Sequence, residues 1–470
     1  MNILLINPPI ENTIASVQPK ELEEGLDFLP PLGLMYVAAY IKKTTSHDVE
    51  ILDCQVEEMG YGQLKDEVIK RKPDVVGITA MTFTLIDVMK AAKVVKGVNP
   101  KTKVILGGPH VMIFPDETIN NKEIDFLVLG EAEGAIKPLL ANMDNPKELK
   151  NIRGLVFKDG ETIINTGQAD FIENLDNLPF PARHLTPYGK YFSVLSPRRP
   201  VTTMFTSRGC PFKCLFCDRP QLGKIFRARS AKSVVDEMEE CVKMGIQEIF
   251  IYDDTFGVDR RRVLDICDGI EKRNLSIVWD IRTRVNTVDR EVLEALKRAN
   301  CQRIHYGVEA GTQRILNVLR KGITLKQVED AFRITKEVGI QTAGYFMLGS
   351  PTETKEDIVE TIRFMKKINP DYVHITITTP FPATDLYKMA QEEKVLTNDI
   401  WRDFAKDPKP GFIPPVWEKN LSRTQLLSLL GSAYRSFYFR PSYAIKKILQ
   451  LESPGEFFQK AKAAFQLLKI

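Results

Sequence analysis

Thr206-Ser207-Arg208-Gly209-Cys210-Pro211-Phe212-Lys213-Cys214-Leu215-Phe216-Cys217 places three thiols at x3 then x2 spacing, directly after the apolar strand signal Thr202–Thr206. Three cysteines this close can wrap one compact metal centre from a single loop. Structural zinc takes four ligands, often from paired knuckles, and this chain has no second knuckle. Three thiolates on a cubane [4Fe–4S] cluster leave one iron open to a further ligand. The other cysteines, Cys54, Cys241, Cys267 and Cys301, stand alone and read as small core residues. None follows Cys301, so the tail offers no thiolates for a second cluster.

Downstream of the loop, strand signals recur at Glu248–Tyr252, Ile277–Ile281, Arg303–Gly307, Thr342–Leu348 and Tyr372–Thr376. Helical patterns such as Ala231–Met244, Arg260–Arg273 and Leu325–Val338 fill the gaps. Six βα units in about 200 residues exceed a small open sheet and predict a partial (β/α)6 barrel of the TIM type over 199–400. A helical C-terminal region, 401–470, follows.

Upstream, Ile3–Asn7, Val49–Asp53, Val75–Thr79, Val104–Leu106 and Phe126–Leu129 read as buried strands alternating with helices. This predicts an α/β, Rossmann-like parallel sheet over 1–145, with a connector at 146–198 that includes an Asp159-Gly160 hairpin. Ligands of such sheets sit at the carboxyl ends of the strands. Here those ends are Asn7-Pro8-Pro9, Asp53-Cys54, Thr79-Ala80-Met81, Gly107-Gly108-Pro109-His110 and Gly130-Glu131. Pro8-Pro9 occupies the first turn where a dinucleotide fold has G-x-G-x-x-G, which disfavours a dinucleotide cofactor.

With 470 residues, 43% hydrophobic and a formal charge of +4, the chain is an ordinary globular protein. The charge is too balanced to argue for nucleic acid. Few cysteines, no signal-like start and no apolar run near ~18 residues point to a cytoplasmic, reducing compartment.

The cysteine triad, with Phe216 directly before its last member, resembles the signature of the radical S-adenosylmethionine (SAM) superfamily. The resemblance implies that Cys210, Cys214 and Cys217 hold a [4Fe–4S] cluster and that its open iron chelates SAM. It also implies an external electron donor such as a flavodoxin or ferredoxin, and anaerobic chemistry. Asp253 and Asp254, in Tyr252-Asp253-Asp254-Thr255-Phe256, stand where the family usually has a Gly-Glu-Glu-like segment for the SAM ammonium. The competing reading is a helix N-cap. Arg282 is assigned to the SAM carboxylate, against a surface ion pair. Glu309, in Gly307-Val308-Glu309-Ala310-Gly311, is assigned to the ribose hydroxyls, against a solvated strand-end turn. Ser350-Pro351-Thr352 departs from the family's usual Gly-x-Pro-Gly turn.

A Rossmann-like domain ahead of such a core resembles the cobalamin-binding branch. That resemblance places cobalamin against Pro8, Pro9, Thr79, Gly107, Gly108, His110, Gly130 and Glu131. The chain lacks D-x-H-x-x-G, so a base-off cobalamin without a histidine on its lower face is expected. The branch implies methylation of an unactivated carbon in a small molecule, through a 5′-deoxyadenosyl radical and methylcobalamin. Two alternatives stay open: a cyclase or other C–H oxidation without methyl transfer, and a non-catalytic cobalamin or redox sensor. In the tail, residues 434–470 hold seven basic side chains against two acidic ones, and Tyr434, Phe437, Tyr438, Phe439 and Tyr443 cluster at its start. That pattern suits a peripheral membrane contact and a hydrophobic or lipid substrate. A helix packing over the barrel is the competing reading.

Overall fold

The computed structural model describes residues 1–14, 27–218, 225–441 and 443. Thirteen principal strands form two sheets. The first contains β1 (Asn2–Asn7), β2 (Asp48–Asp53), β3 (Val75–Thr79), β4 (Lys103–Gly107), β5 (Phe126–Val128), β6 (Leu155–Asp159) and β7 (Thr162–Asn165), in the order β2-β1-β3-β4-β5-β6-β7. The first five are parallel. Residue alternation along β1 divides the core between two faces. Ile3 and Leu5 pack beneath helices Leu32–Thr44 and Ala132–Asn142, while Leu4 and Ile6 pack beneath Tyr61–Arg71 and Leu85–Val98. The order reverses between β1 and β3, which opens a crevice at their carboxyl ends.

The hairpin assigned to the connector belongs structurally to this sheet. Phe157 pairs with Phe126 and Val156 with Leu127, antiparallel. Buried Leu155, Val156 and Phe157 cover β5, which would otherwise be a bare edge. The first structural unit therefore extends past residue 145.

The second sheet contains β8 (Val201–Met204), β9 (Glu248–Ile251), β10 (Val278–Thr283), β11 (Cys301–Glu309), β12 (Gln341–Leu348) and β13 (Tyr372–Ile377). All are parallel and each lies beside its predecessor in sequence. This is the expected six-stranded, incompletely closed barrel. Its helices start on side-chain caps: Ser230, Asp259, Asp289, Thr324 and Thr354 each accept from a backbone N–H three residues on.

Beyond residue 400 the chain straps the two units together. Trp401 packs with Phe114 of the first unit and Leu215 of the cysteine loop, while Phe404 packs with Leu85 and Ile86. Helix Arg423–Tyr438 lies along β13, one of the two edge strands of the open barrel. The Tyr434 hydroxyl accepts from the Ile375 N–H (2.9 Å) and donates to the Ile375 carbonyl (3.0 Å). Tyr438 does the same at Val373 (3.1 Å each way), and Tyr443 donates to the Asp371 carbonyl (2.9 Å). Arg440 donates to the Lys366 carbonyl and to Asn369. These tyrosines and Arg440, read as material for a membrane surface, serve instead to seal a strand edge. The remaining basic tail residues, from Lys446 on, lie outside the described residues. Among the described residues, no helix is long and apolar enough to cross a membrane.

Candidate functional site

The cysteine loop leaves β8 at the carboxyl end of the barrel and is tied down on several sides. Asp253, at the end of β9, is buried. Its carboxylate accepts from the N–H groups of Thr206 (2.6 Å) and Ser207 (3.1 Å) and from both their hydroxyls (2.5 and 2.6 Å). Asp253 thus holds the loop entrance and has little acceptor capacity left for an ammonium group, contrary to the expectation. Asp254 is exposed, with the Gly209 N–H facing its carboxylate. Of the pair, Asp254 is the carboxylate presented outward. Farther along, the Leu215 N–H donates to the Leu319 carbonyl, and the Leu386 N–H to the Leu215 carbonyl, both at 2.9 Å.

The sulfurs meet polar neighbours. Cys210 Sγ lies 3.5 Å from Thr255 Oγ1, and Arg284 Nη1 donates to Cys214 Sγ at 3.4 Å. The Arg284 guanidinium also stacks 3.9 Å over the Phe212 ring and donates to the Lys321 carbonyl. Arg284 thus gives Cys214 a charged outer-shell donor of the kind that orients a metal-bound sulfur. Among the described residues, no three His, Cys, Asp or Glu side chains converge on one ion position. A cubane does not require that, because each thiolate takes a separate iron. The loop therefore fits a [4Fe–4S] cluster. By contrast, Cys54, Cys241 and Cys267 are buried and their thiols are pushed up to about 12, the state of inert core residues.

Glu309 ends β11 with a left-handed φ of 76°. Its carboxylate pairs with Lys321 at 2.6 Å, and that ammonium lies 5.7 Å from the Phe216 ring. Glu309 and Phe216 therefore share one neighbourhood at the cysteine loop, through Lys321. Arg282 lies inside the barrel, 3.4 Å over the Tyr252 ring. The arginine in contact with the loop is Arg284, which the sequence reading missed. The signal was present: in Arg282-Thr283-Arg284 the strand ends at Thr283, which frees Arg284 to turn onto the loop.

In the first unit, Pro8 and Pro9 are buried, and the Pro8 carbonyl accepts from Gln55 Nε2 at 3.2 Å. Gly107 ends β4, paired with Thr79 of β3, and Gly108 follows it beside Ala80. Gly108 has φ +111°, and a Cβ there would meet the Ala80 carbonyl oxygen at 2.8 Å. Only glycine suits that position. His110 is fully buried, with Nδ1 3.1 Å from Thr82 Oγ1 and Nε2 without a partner. Burial lowers its pKa to about 4, so the ring is neutral. A glycine-lined crevice with an orphaned imidazole nitrogen fits a large ligand rimmed by hydrogen-bonding groups, as cobalamin is.

Gly130 has φ +94°. Glu131, expected beside the cofactor, has another employment. Its carboxylate is forked by Arg227 (2.8 and 2.9 Å), pairs with Arg208 (3.2 Å) and accepts the Ile172 N–H (2.7 Å). Arg208 also pairs with Glu133 at 2.6 Å and lies over the Tyr36 ring. Both arginines flank the cysteine loop, so this buried network joins the end of β5 to the cluster site. Its saturated acceptors remove Glu131 from the ligand-facing set. Arg208 stood in the opening motif itself, but its partners are about 75 residues away in sequence and could not be read there.

Comparison with known proteins agrees with this geometry. Residues 204–365 match the family model described as the radical SAM superfamily, and residues 25–140 that of the B12 binding domain. The chain is 37% identical over 454 residues to the uncharacterized methyltransferase PH0819 of Pyrococcus horikoshii, covering 96% of this chain and 95% of that one. It is 29% identical over 424 residues to the anaerobic magnesium-protoporphyrin IX monomethyl ester cyclase of Rubrivivax gelatinosus, covering 88% and 74%. The solved cobalamin-dependent SAM radical enzyme OxsB, with aqua-cobalamin and SAM bound, superposes with a TM-score of 0.77 at 18% identity, over 99% of this chain and 72% of that one. That likeness is one of fold. A three-cysteine loop on a six-stranded partial barrel, clamped to a glycine-lined α/β sheet, makes this chain a member of the radical SAM superfamily that carries a B12-binding domain ahead of the barrel.

Proposed function

We propose that the chain is a cobalamin-dependent radical SAM methyltransferase that methylates an unactivated carbon of a small molecule. The observation that carries this reading is the clamp of Arg208 and Arg227 on Glu131 and Glu133. It sets the cluster loop against the strand ends of the B12-binding sheet, so that one substrate can meet both cofactors. When bound, the cluster and SAM supply a 5′-deoxyadenosyl radical and the corrinoid a transferable methyl group.

The chain's own residues do the holding. Cys210, Cys214 and Cys217 take the cluster, and Arg284 donates to Cys214. Asp254 and Glu309 stand beside the loop for the amine and ribose of SAM, with Phe216 against the cluster. Pro8, Pro9, Thr79, Gly107, Gly108, His110 and Gly130 form the corrinoid side, and neutral His110 offers a hydrogen bond where its Nε2 is unpartnered. A flavodoxin or ferredoxin supplies the electrons.

Anaerobically reconstituted protein, given reductant and methyl-labelled SAM, is expected to place label in a product. Altered product without label would replace methyl transfer by cyclisation or C–H oxidation, the reading favoured by the cyclase relative. Absence of reductive SAM cleavage with full iron would leave a sensor.

A further inference from the structure

A second polar constellation lies inside the barrel, away from the cysteines. Asp280 on β10, His305 on β11 and Tyr345 on β12 form one hydrogen-bonded chain. His305 Nε2 is 3.0 Å from Asp280 Oδ2, and His305 Nδ1 is 2.9 Å from the Tyr345 hydroxyl. Strand register creates it: Arg282 is level with His305, and Tyr345 with His374. Asp280 and His305 are 2% and 4% exposed, whereas Tyr345, Arg282 and Tyr252 keep partial access and His374 is exposed. The chain is thus buried at its acidic end and open at its phenol end.

Hydrogen-bond bookkeeping fixes its polarity. Asp280 also accepts from Arg303 Nη1 (3.4 Å), so the carboxylate stays an acceptor and His305 Nε2 must carry the proton. Burial lowers the His305 pKa, which keeps the ring neutral, so Nδ1 is an acceptor and Tyr345 donates to it. The Tyr345 oxygen, half-buried, accepts from the Arg282 side chain and keeps acceptor capacity beside it. Beside it, Arg282 stacks on Tyr252; burial raises the pKa of both phenols, and the Arg282 charge offsets part of that rise. Among the described residues, no carboxylate pairs with Arg282 within 4.0 Å; Asp27 is nearby but accepts from the Val194 N–H. Polar groups inside a barrel are costly unless employed.

We propose that Asp280, His305 and Tyr345 form a proton relay that takes a proton from an acidic hydroxyl of the substrate, with Arg282 stabilising the oxyanion left behind. The substrate O–H proton passes to the Tyr345 oxygen as the Tyr345 proton passes to His305 Nδ1, giving an imidazolium held by Asp280. No electrons move, and one proton leaves the substrate. Tyr345 and Arg282 touch the substrate; His305 and Asp280 position and charge the phenol. The logic is that of the hydroxyl–imidazole–carboxylate triad. The relay names a substrate class, a small molecule with a hydroxyl near the attacked carbon, and in that respect rests on the enzymatic reading above.

The test uses reconstituted holoenzyme and 3-fluoro-4-nitrophenol, whose 19F shift separates its neutral and ionised forms. At a pH where the free probe is mostly neutral, the bound probe is expected to be mostly ionised. Tyr345→Phe and His305→Asn are expected to return the bound probe to the neutral form, and Arg282→Gln to weaken its binding about tenfold. Tyr345→Phe keeps the ring packing, so it reports the hydroxyl alone. A wild-type protein that does not bind the probe, or binds it neutral, overturns the proposal. So does an Arg282→Gln protein that loses SAM affinity but not the probe, because Arg282 would then serve SAM. Reductive SAM cleavage on the same preparations judges the enzymatic reading separately.

Discussion

The two sheets finish their carboxyl ends in opposite ways. Around the barrel, side chains do the gripping: Asp253 takes four hydrogen bonds from the loop entrance, Arg284 reaches Cys214, and the helices start on Ser, Thr or Asp caps. In the first sheet the turns are Pro-Pro and Gly-Gly, and the helices beginning at Leu32, Leu85, Pro109 and Ala132 have no side-chain cap. Main-chain carbonyls take part of that work: the His110 N–H donates to the Ala80 carbonyl (3.1 Å) and the Leu85 N–H to the Thr82 carbonyl. A compact cluster is held by a few directed side chains, whereas a broad corrin rimmed with polar groups suits main-chain donors on small residues.

The most severe way to break that comparison is at the sulfurs. Cys214→Ala is expected to drop bound iron from about four per chain to background and to cut reductive SAM cleavage more than about 100-fold; iron analysis and 5′-deoxyadenosine release check this. Next is the clamp between the sheets. Glu131→Gln leaves Arg227 and Arg208 buried and under-paired, and is expected to cost about 3–5 kcal/mol in denaturant unfolding. On the main-chain side, Gly108→Ala forces a Cβ against the Ala80 carbonyl and is expected to weaken hydroxocobalamin binding about tenfold or more, read by titration in the visible.

A pH effect sharpens the contrast, because the barrel also buries a carboxylate. Glu353 accepts from the Gly349 and Ser350 N–H groups (2.7 and 2.8 Å), yet its other oxygen is unpartnered, and burial raises its pKa from 4.5 to about 7. The folded protein keeps a proton that the unfolded chain gives up. Glu353 therefore supports stability fully below about pH 4.5, and that support fades as pH rises to about 7, by about 3 kcal/mol. Glu353→Gln is expected to flatten this decline in melts taken across that window. The smallest effect is expected at the strand edge. Tyr438→Phe removes both bonds to Val373 and is expected to cost about 1–2 kcal/mol in the same unfolding assay.

This contrast also explains what the sequence could reveal. All six barrel strands and the cysteine loop were legible, because side-chain chemistry at fixed spacing leaves a local signature. The roles of Asp253 and Glu131 were misread, because a carboxylate's employment depends on partners supplied by folding: Thr206 and Ser207 for one, Arg208 and Arg227 for the other. The hairpin Leu155–Asn165 was recognised as a hairpin, but its pairing with β5 is a tertiary fact. Tyr434, Tyr438 and Tyr443 follow helical spacing, and nothing local distinguishes a lipid surface from a strand edge as their target.

That tyrosine seal has a consequence for synthesis. β13 ends at Ile377, while the hydroxyls that cover it arrive about sixty residues later. At ~5–20 residues per second, the ribosome leaves the last strand's N–H and C=O groups uncovered for roughly 3–12 seconds. For that interval the nascent barrel presents an adhesive margin to neighbouring chains, and helix Arg423–Tyr438 with Tyr443 acts as an intramolecular chaperone that ends the exposure.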